Sequence, residues 1–309
     1  MNVAEVDKVT KRFDEFTAVS ALSFGVKEGS IFGLLGPNGA GKTTTIRMIV
    51  GIFAPDQGEV RVLGKRVTAE LQQRIGYMPE ERGLYKKMKV VDQLMFFAEL
   101  KGVQPADAGR RIDKWLTRFE LSDWKQKKPG DLSKGMQQKV QFIATILHEP
   151  ELIILDEPFS GLDPVSVSVL KSVILDLKQQ GKAIVFSTHQ MEQVEQLCDD
   201  ICLIDHSTKV LGGNLKDVKR QFGKNTVLLD YEGDDSFLAA DHLVRRVNRY
   251  PNYVEIVLED DAVPQEILER AIACGARINR FELVEPSLND IFIESVTGKS
   301  AKATVGSAG

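Results

Sequence analysis

The segment from residue 36 to residue 43 has the composition and spacing of a loop that binds phosphate groups. It reads GPNGAGKT, so that glycines precede Lys42 and Thr43. Glycine adopts backbone angles that other residues avoid, which lets successive N–H groups turn towards an anion. A lysine at this point contacts the β- and γ-phosphates of a nucleotide, and the next hydroxyl ligates Mg²⁺. The residues expected around the phosphates are Gly36, Pro37, Asn38, Gly39, Ala40, Gly41, Lys42, Thr43 and Thr44.

Two adjacent carboxylates, Asp156 and Glu157, follow an apolar run that ends at Leu155. A carboxylate at the carboxyl end of a buried strand can hold Mg²⁺, usually through water, beside a phosphate loop. The second carboxylate can polarise the attacking water as a general base. Alone the pair is weak evidence, but together with the phosphate loop it predicts hydrolysis of a bound nucleoside triphosphate.

Three apolar segments predict the strands that position these residues. They span residues 29–35, 152–155 and 183–187, and a helix is predicted over residues 43–50, directly after the glycine-rich loop. Strands that alternate with helices are typical of a parallel sheet covered on both faces. The sequence therefore predicts an α/β core with the candidate chemistry at the ends of its strands.

Between about residues 86 and 150 the apolar residues recur at helical spacing, which predicts a mainly helical subdomain. The two predicted apolar stripes are Val90, Leu94, Phe97 and Leu100, and Ile112, Leu116 and Phe119.

A change of pattern after about residue 213 predicts a second, smaller domain. Strand-like runs at 226–231, 253–258 and 278–284 alternate with a helix-like run at 264–274. Ser287 and Asp290 have the spacing of a capping box that opens a last amphipathic helix. The predicted boundaries are residues 1–215 for the nucleotide-binding domain, 216–298 for a small α+β accessory domain, and 299–309 for a flexible tail.

Length and composition limit the class of protein. A chain of 309 residues is long enough for two domains, and 43% hydrophobic with 27% charged residues is ordinary for a soluble globular protein. The net charge of −4 gives no general attraction to nucleic acid, so no nucleic-acid partner is expected.

The cysteines and the N-terminus indicate the compartment. The three cysteines are too few for a disulfide framework, and Cys198 and Cys202 are interpreted as small buried apolar residues. The N-terminus lacks the pattern of an export signal, and the apolar runs are far shorter than the ~18 residues that cross a bilayer. A cytoplasmic location is therefore expected.

These residues and several further motifs resemble the nucleotide-binding domain of ABC transporters over roughly residues 3–215. LSKGMQ is similar to the family's signature sequence, SGLD to its D-loop, the histidine of STH to its switch histidine, and GYMPE to its Q-loop. The matching positions are Leu132 to Gln137, Ser160 to Asp163, His189, Gly76 to Glu80 and, for the aromatic residue that stacks on adenine, Phe13.

The resemblance implies a P-loop NTPase fold with a RecA-like core, an antiparallel β subdomain and a helical subdomain. It implies that ATP and Mg²⁺ bind, and that Lys42, Glu157 and His189 act in ATP hydrolysis. Thr43, Asp156 and Glu80 are the implied metal residues, although Glu80 stands where most members have glutamine. Phe16 remains the alternative to Phe13 as the aromatic that stacks on the base.

The resemblance also implies a second ATP-binding subunit in a homodimer. Ser133 and Gly135 of one protomer would cap the ATP held by the other, with Asp163 also at the interface. The signature has Lys134 and Met136 where the consensus has glycine and glutamine, which indicates a subfamily variant that keeps the two contacting residues.

Two further stretches, PEERGLY and the ending ELVEPSLNDIFIE, are similar to the NatA-type exporter ATPases, whose C-terminal domain has no assigned function. This implies export through a separate transmembrane permease, with the chain peripheral on the inner face of the membrane. Two alternatives stay open: the run Lys86, Lys87 and Lys89 is either a docking surface or a solvated face, and the ATPase could instead switch a soluble partner such as a ribosome or a DNA-repair complex.

Overall fold

The computed structural model describes residues 1–81, 83–222, 226–239, 242–259 and 262–305, with side chains as far as residue 296. The chain forms two compact units, one from Met1 to Leu215 and one that begins at Lys216. Within the described ranges, every helix is too short or too polar to cross a membrane.

The first unit contains two β-sheets. Its strands are β1 (Asn2–Phe13), β2 (Phe16–Lys27), β3 (Ile31–Leu35), β4 (Gln57–Val62), β5 (Lys65–Arg66), β6 (Ile75–Met78), β7 (Leu152–Asp156), β8 (Ala183–Thr188), β9 (Asp200–Asp205) and β10 (Thr208–Asn214). The smaller sheet has the order β2-β1-β4-β5 and is antiparallel. The larger sheet has the order β10-β9-β3-β8-β7-β6 and is parallel except for β10 at its edge.

The central strands of the parallel sheet are buried along their whole length. β3, β7 and β8 have only buried residues, as expected for strands covered on both faces. One apolar core joins the two sheets and helix α1 (Lys42–Ile49), with Val6, Ile46 and Val185 among its members. This core fixes the helix that follows β3 against both sheets.

In the helices of the first unit, burial of the apolar residues agrees with their helical spacing except at one position. Its helices are α2 (Ala69–Gln72), α3 (Val90–Leu100), α4 (Pro105–Arg118), α5 (Lys134–Ile146), α6 (Pro164–Gln179) and α7 (Met191–Leu197). The stripe of Ile112, Leu116 and Phe119 is buried as predicted. The prediction for Leu100 is wrong, because its side chain is 60% exposed and Ala98 instead continues the buried side of α3 from Leu94.

The second unit is a four-stranded antiparallel sheet with helices. The order is β12-β13-β11-β14, and the core includes Val227, Ile256 and Ile267. Its elements after α8 (Leu215–Gln221) at the boundary are β11 (Thr226–Glu232), β12 (Val244–Arg249), β13 (Val254–Leu258), α9 (Pro264–Ala273), β14 (Arg277–Val284) and α10 (Leu288–Val305).

The last helix begins with the predicted cap. Ser287 Oγ accepts a hydrogen bond from the Asp290 backbone N–H at 3.1 Å, and Ile291 is buried in the next turn. The helical backbone continues to Val305, into the segment 299–309 that was predicted as a tail. The last four residues of that segment lie outside the described residues.

The cysteines are free thiols, as expected. Cys202 is buried in the core of the first unit, and burial raises its pKa to about 12. Burial also raises the pKa of Cys198. Both are therefore neutral at physiological pH.

Candidate functional site

The phosphate loop lies between β3 and α1, where close backbone contacts require glycine. A Cβ at Gly36 would lie 2.1 Å from the Ile204 carbonyl oxygen, and a Cβ at Gly41 would lie 2.3 Å from that of Ala18. Both glycines have positive φ angles, 149° and 105°. The loop therefore takes its shape from backbone contacts with β2 and β9, and its amide-rich end leads directly into α1.

Lys42, the first residue of α1, is buried and bonded to the loop itself. Its ammonium donates to the carbonyl oxygens of Gly36 at 2.8 Å and Pro37 at 3.1 Å. Burial lowers the pKa of Lys42, and the charges of Glu157, Asp156 and Glu80 act in the opposite direction. The lysine is thus surrounded by carboxylates, at a place where phosphate oxygens could replace the carbonyl partners.

The rest of the predicted loop is open to solvent. Pro37, Asn38 and Gly39 are exposed, whereas Ala40 packs in the core, and Thr43 and Thr44 are half-buried in the first turn of α1.

Asp156 ends β7 and is almost completely buried, with 1% of its surface exposed. Ser187 Oγ donates to its Oδ1, while its Oδ2 has no hydrogen-bond partner among the described residues. A buried carboxylate oxygen without a partner is costly unless a cation binds there. Carboxylate and hydroxyl oxygens are ligands that suit Mg²⁺, so Asp156 together with Thr43 fits this ion.

Glu157 follows directly and is held by the end of β8. Its φ angle is 49°, an uncommon value for a side-chain-bearing residue, and only 7% of its surface is exposed. Its carboxylate accepts from Thr188 Oγ1 at 3.3 Å, and its Oε1 lies 2.9 Å from His189 Nδ1. The His189 side chain is half exposed, so this pair joins a buried carboxylate to the solvent side of the site.

Three adjacent strands bring these groups together. In the sheet β3 lies beside β8 and β8 beside β7, with Leu35 opposite Thr188 and Asp156 opposite Ser187. The phosphate loop, the acidic pair and His189 therefore follow neighbouring carboxyl ends of parallel strands. This is the edge at which open α/β sheets bind ligands.

Ser187 and Thr188 lie in the candidate site, although the sequence pattern alone gave them no role. They hold Asp156 and Glu157 through hydroxyl groups. The available signal was two hydroxyl residues at the end of an otherwise apolar strand, directly before His189.

Glu80 lies two residues beyond β6 and is exposed. The segment around it is held by Gln141 Nε2, which donates to the carbonyl oxygens of Pro79 at 2.9 Å and Glu81 at 3.2 Å. Its charge acts on Lys42, which places it on the side of the phosphate loop.

The signature and D-loop residues have local roles within one chain. Ser133 Oγ caps α5 by accepting from Met136 N at 3.2 Å, and Asp163 caps α6 by accepting from Ser166 N at 3.0 Å. Ser133 and Asp163 are exposed, while Gly135 is half-buried in the first turn of α5. In the described part of the chain, no hydrogen bond joins any of the three to the phosphate loop.

Phe13 lies at the end of β1, in the hairpin that continues to Ala18 beside the loop. Its ring is 40% exposed and meets the Phe53 ring edge to face, with 5.4 Å between the centroids. Phe16, opposite Phe13 in the hairpin, is 60% exposed.

Comparison with known proteins gives two family matches. A model for the ABC transporter family matches residues 19–160, and one for the C-terminal domain of DrrA1-3-like ATP-binding proteins matches residues 213–296. Three relatives resemble this chain over most of their own length. The ABC transporter ATP-binding protein YhaQ of Bacillus subtilis is 46% identical, and the match covers 94% of this chain and 97% of that protein. The ABC transporter ATP-binding protein NatA of Bacillus subtilis is 39% identical, with 63% of this chain and 80% of that protein covered. The Nod factor export ATP-binding protein I of Burkholderia pseudomallei is 36% identical, with 69% of this chain and 72% of that protein covered.

A solved structure of an ATP-binding subunit of an ABC transporter is similar to this one with a TM-score of 0.68. The two are 33% identical, and the match covers 72% of this chain and 93% of the other. The fold expected from the sequence, a P-loop NTPase core with antiparallel β and helical subdomains, is confirmed.

Proposed function

Because the chain belongs to the ATP-binding proteins of ABC transporters, which hydrolyse ATP to drive transport, we propose that it powers export through a separate membrane permease. The observation that carries the ATP-hydrolysing part of the proposal is the meeting of Lys42, Asp156 and Glu157 at neighbouring ends of a parallel sheet. Together they offer an anion site, a metal ligand and a base within one site.

Each residue has a role that follows from its surroundings. Lys42 exchanges the two loop carbonyls for oxygens of the β- and γ-phosphates, which suits a buried ammonium better than neutral partners. Asp156 and Thr43 would hold Mg²⁺ through carboxylate and hydroxyl oxygens, and Glu80 lies near enough for its charge to act on Lys42. When bound, Mg²⁺ neutralises the phosphate oxygens as charge develops on them.

Glu157 is the general base for the attacking water. Its Oε1 lies 2.9 Å from His189 Nδ1. A γ-phosphate attracts the exposed imidazole, and the same movement frees the carboxylate for the water. Base activation is in this way tied to occupation of the site.

A second copy of the chain completes the site. Ser133, Gly135 and Asp163 lie at the first turns of α5 and α6 and are not bonded to the phosphate loop of their own chain. This supports a role at the loop of the partner, where the N-terminal end of α5 would meet the γ-phosphate. ATP binding then closes the dimer and hydrolysis reopens it.

Export is supported by the name of the Nod factor export relative. The permease would hold the chain on the cytoplasmic face of the membrane. With a net charge of −4, we propose no nucleic-acid partner.

The direct test is the substitution Glu157→Gln. The amide keeps the shape of the side chain but cannot accept the proton, so ATP should bind normally while turnover falls by about 10²- to 10⁴-fold. The matched control is Glu151→Gln, which alters an exposed glutamate paired with Arg74 and should leave turnover unchanged. An unchanged rate in Glu157→Gln would remove the assignment of the base.

The transport role is tested by identifying what co-purifies with Glu157→Gln from the source cells in MgATP. A membrane protein with several spans is expected. Recovery of soluble partners alone, such as ribosomes, would contradict the transport role while leaving the ATPase chemistry intact.

A further inference from the structure

We propose that Lys11, Phe53 and Asp56 form a clamp that fixes the ring of Phe13 for the adenine base, so that recognition of the base, as distinct from the phosphates, depends on them. The inference rests on the proposed binding of ATP and assigns a positioning role to three residues that have none in the chemistry described above.

Asp56 ties the end of β1 to the chain that enters β4. Its Oδ1 accepts from Lys11 Nζ at 2.9 Å, and its Oδ2 accepts from the Arg12 backbone N–H at 2.7 Å. Its own N–H donates to the Thr10 carbonyl oxygen at 2.8 Å. Three successive residues immediately before Phe13 are therefore bonded to one aspartate, which sets the direction in which Phe13 leaves the strand.

Lys11, which pairs with Asp56, also contacts the ring of Phe13. Only 16% of the Lys11 side chain is exposed, and its ammonium lies 5.6 Å from the centroid of the Phe13 ring. A cation over an aromatic face is attracted by the negative charge of that face. The ion pair thus keeps the cation on the ring and restricts the rotation of Phe13, while 40% of Phe13 remains exposed for a ligand.

Phe53 connects Phe13 to the phosphate site. The two rings are inclined at 70°, a favourable edge-to-face geometry. The backbone N–H of Phe53 donates to the carbonyl oxygen of Arg47 at 3.1 Å, and Arg47 lies in the last turn of α1. Because α1 begins at the phosphate loop, this one short helix positions Lys42 in its first turn. Through Arg47 in its last turn it also positions Phe53, whose ring contacts Phe13.

The hairpin provides a second fixed connection. Phe13 is paired with Phe16 across the turn, and two residues later the Ala18 carbonyl closely approaches Gly41 of the loop. Phe13 is consequently held from both sides relative to the phosphate loop. Such preorganisation strengthens binding because less motion is lost when the ligand arrives.

The expected effect is selective for ligands that contain the base. Stacking of a base on an aromatic side chain contributes an amount that corresponds to roughly 5- to 150-fold in affinity. Phe13→Ala should lose most of that contribution. Phe53→Leu, Asp56→Asn and Lys11→Met leave the ring in place but loosen it, so a loss of about 3- to 10-fold is expected.

The experiment compares ADP with pyrophosphate, both with Mg²⁺, by calorimetric titration of the full chain. Neither ligand is consumed by the proposed reaction, and only ADP carries the base. The control is Glu59→Gln, which removes another carboxylate of the same sheet that pairs with Arg61 and Arg66. Far-UV circular dichroism of each variant checks that it is folded. Lys11→Met keeps the aliphatic part of the side chain and serves if Asp56→Asn does not fold.

The expected result is weaker ADP binding in the three clamp variants, with pyrophosphate affinity within about twofold of the parent and both affinities unchanged in Glu59→Gln. Equal weakening of ADP and pyrophosphate would overturn the proposal, because it would show a general structural effect. A loss in Phe13→Ala without a loss in the clamp variants would also overturn it, while keeping Phe13 as the aromatic partner of the base. If Phe16→Ala and not Phe13→Ala weakens ADP selectively, both the clamp and the assignment of Phe13 are wrong, although ATP binding by the loop stands.

Discussion

Asp156 carries a buried charge that the protein alone does not compensate fully. One carboxylate oxygen is bonded to Ser187, and the other has no partner among the described residues. We predict that Asp156→Asn leaves the stability without ligand unchanged or raises it by about 1 kcal/mol, because a neutral amide is cheaper to bury than an unpaired carboxylate. Thermal unfolding with and without Mg²⁺ADP measures this change. The stabilisation that Mg²⁺ adds to that of ADP in the parent should be lost in Asp156→Asn.

The control for this substitution is Asp176→Asn, at an exposed aspartate that pairs with Arg118. Mg²⁺ADP should raise the unfolding temperature of Asp176→Asn as much as it raises that of the parent. Strong destabilisation of Asp156→Asn without any ligand would contradict the prediction, since it would mean that the carboxylate is satisfied by the protein itself.

At the residue scale, the sequence predicted the groups but not their contacts. The glycine spacing before Lys42 and the acidic pair after Leu155 are local patterns, so they could be identified without a structure. The bond between Glu157 and His189 joins the residues that follow two different strands, and the bonds of Asp56 reach back to β1. Such contacts depend on how distant strands pack, which no local spacing encodes.

His148, which follows α5, joins the helical region to the edge of the parallel sheet. Its Nε2 lies 3.2 Å from the carbonyl oxygen of Ile75 in β6. Burial, and then the charge of Lys101, lower the pKa of His148 to about 4 from its ordinary value of 6.5. The histidine is therefore neutral in the folded protein over a range of pH in which the unfolded chain binds a proton.

We predict that stability falls as the pH decreases from 6.5 towards 4. The unfolded state binds more protons than the folded state in this window, so acid favours unfolding, by up to about 3 kcal/mol in total from this group. His148→Gln should flatten the dependence, as measured by urea unfolding at several pH values. The control is His206→Gln, whose side chain is exposed. Equal slopes in the parent and in His148→Gln would contradict the prediction.

At the element scale, β12 is the strand of the second unit's sheet that the sequence pattern did not predict. Its sequence is VRRVNR, and three arginines in six residues indicate a solvated face more readily than a strand. In the structure Arg246 pairs with Asp290 of α10, and Arg249 pairs with Asp235. Two of the arginine charges are therefore paired with acidic residues outside the strand, which the sequence of the strand does not show. Leu100 shows the opposite case, an apolar residue at helical spacing that the fold leaves exposed.

At the scale of the whole molecule, the described residues of each compact unit include an apolar core that belongs to that unit alone. The residues proposed to bind ATP all lie before Leu215. We therefore propose that the first unit is the nucleotide-binding domain and that the second is an accessory domain. For the second unit we propose a regulatory or dimerisation role, since its strands form an apolar core of their own.

This division predicts that calorimetry of the full chain resolves two unfolding transitions, of which Mg²⁺ADP shifts only one. A ligand at one hundred times its dissociation constant stabilises the domain that binds it by about 2.7 kcal/mol, which corresponds to roughly 5–10 °C for a domain of this size. The fragment of residues 1–215 should show the shifted transition alone and bind ADP with the affinity of the full chain. If ADP instead moves a single transition of the whole chain, the two cores unfold as one cooperative body and the accessory unit contributes to the stability of the ATP site. Unchanged ADP affinity with weaker dimerisation of the fragment would assign dimerisation to the second unit.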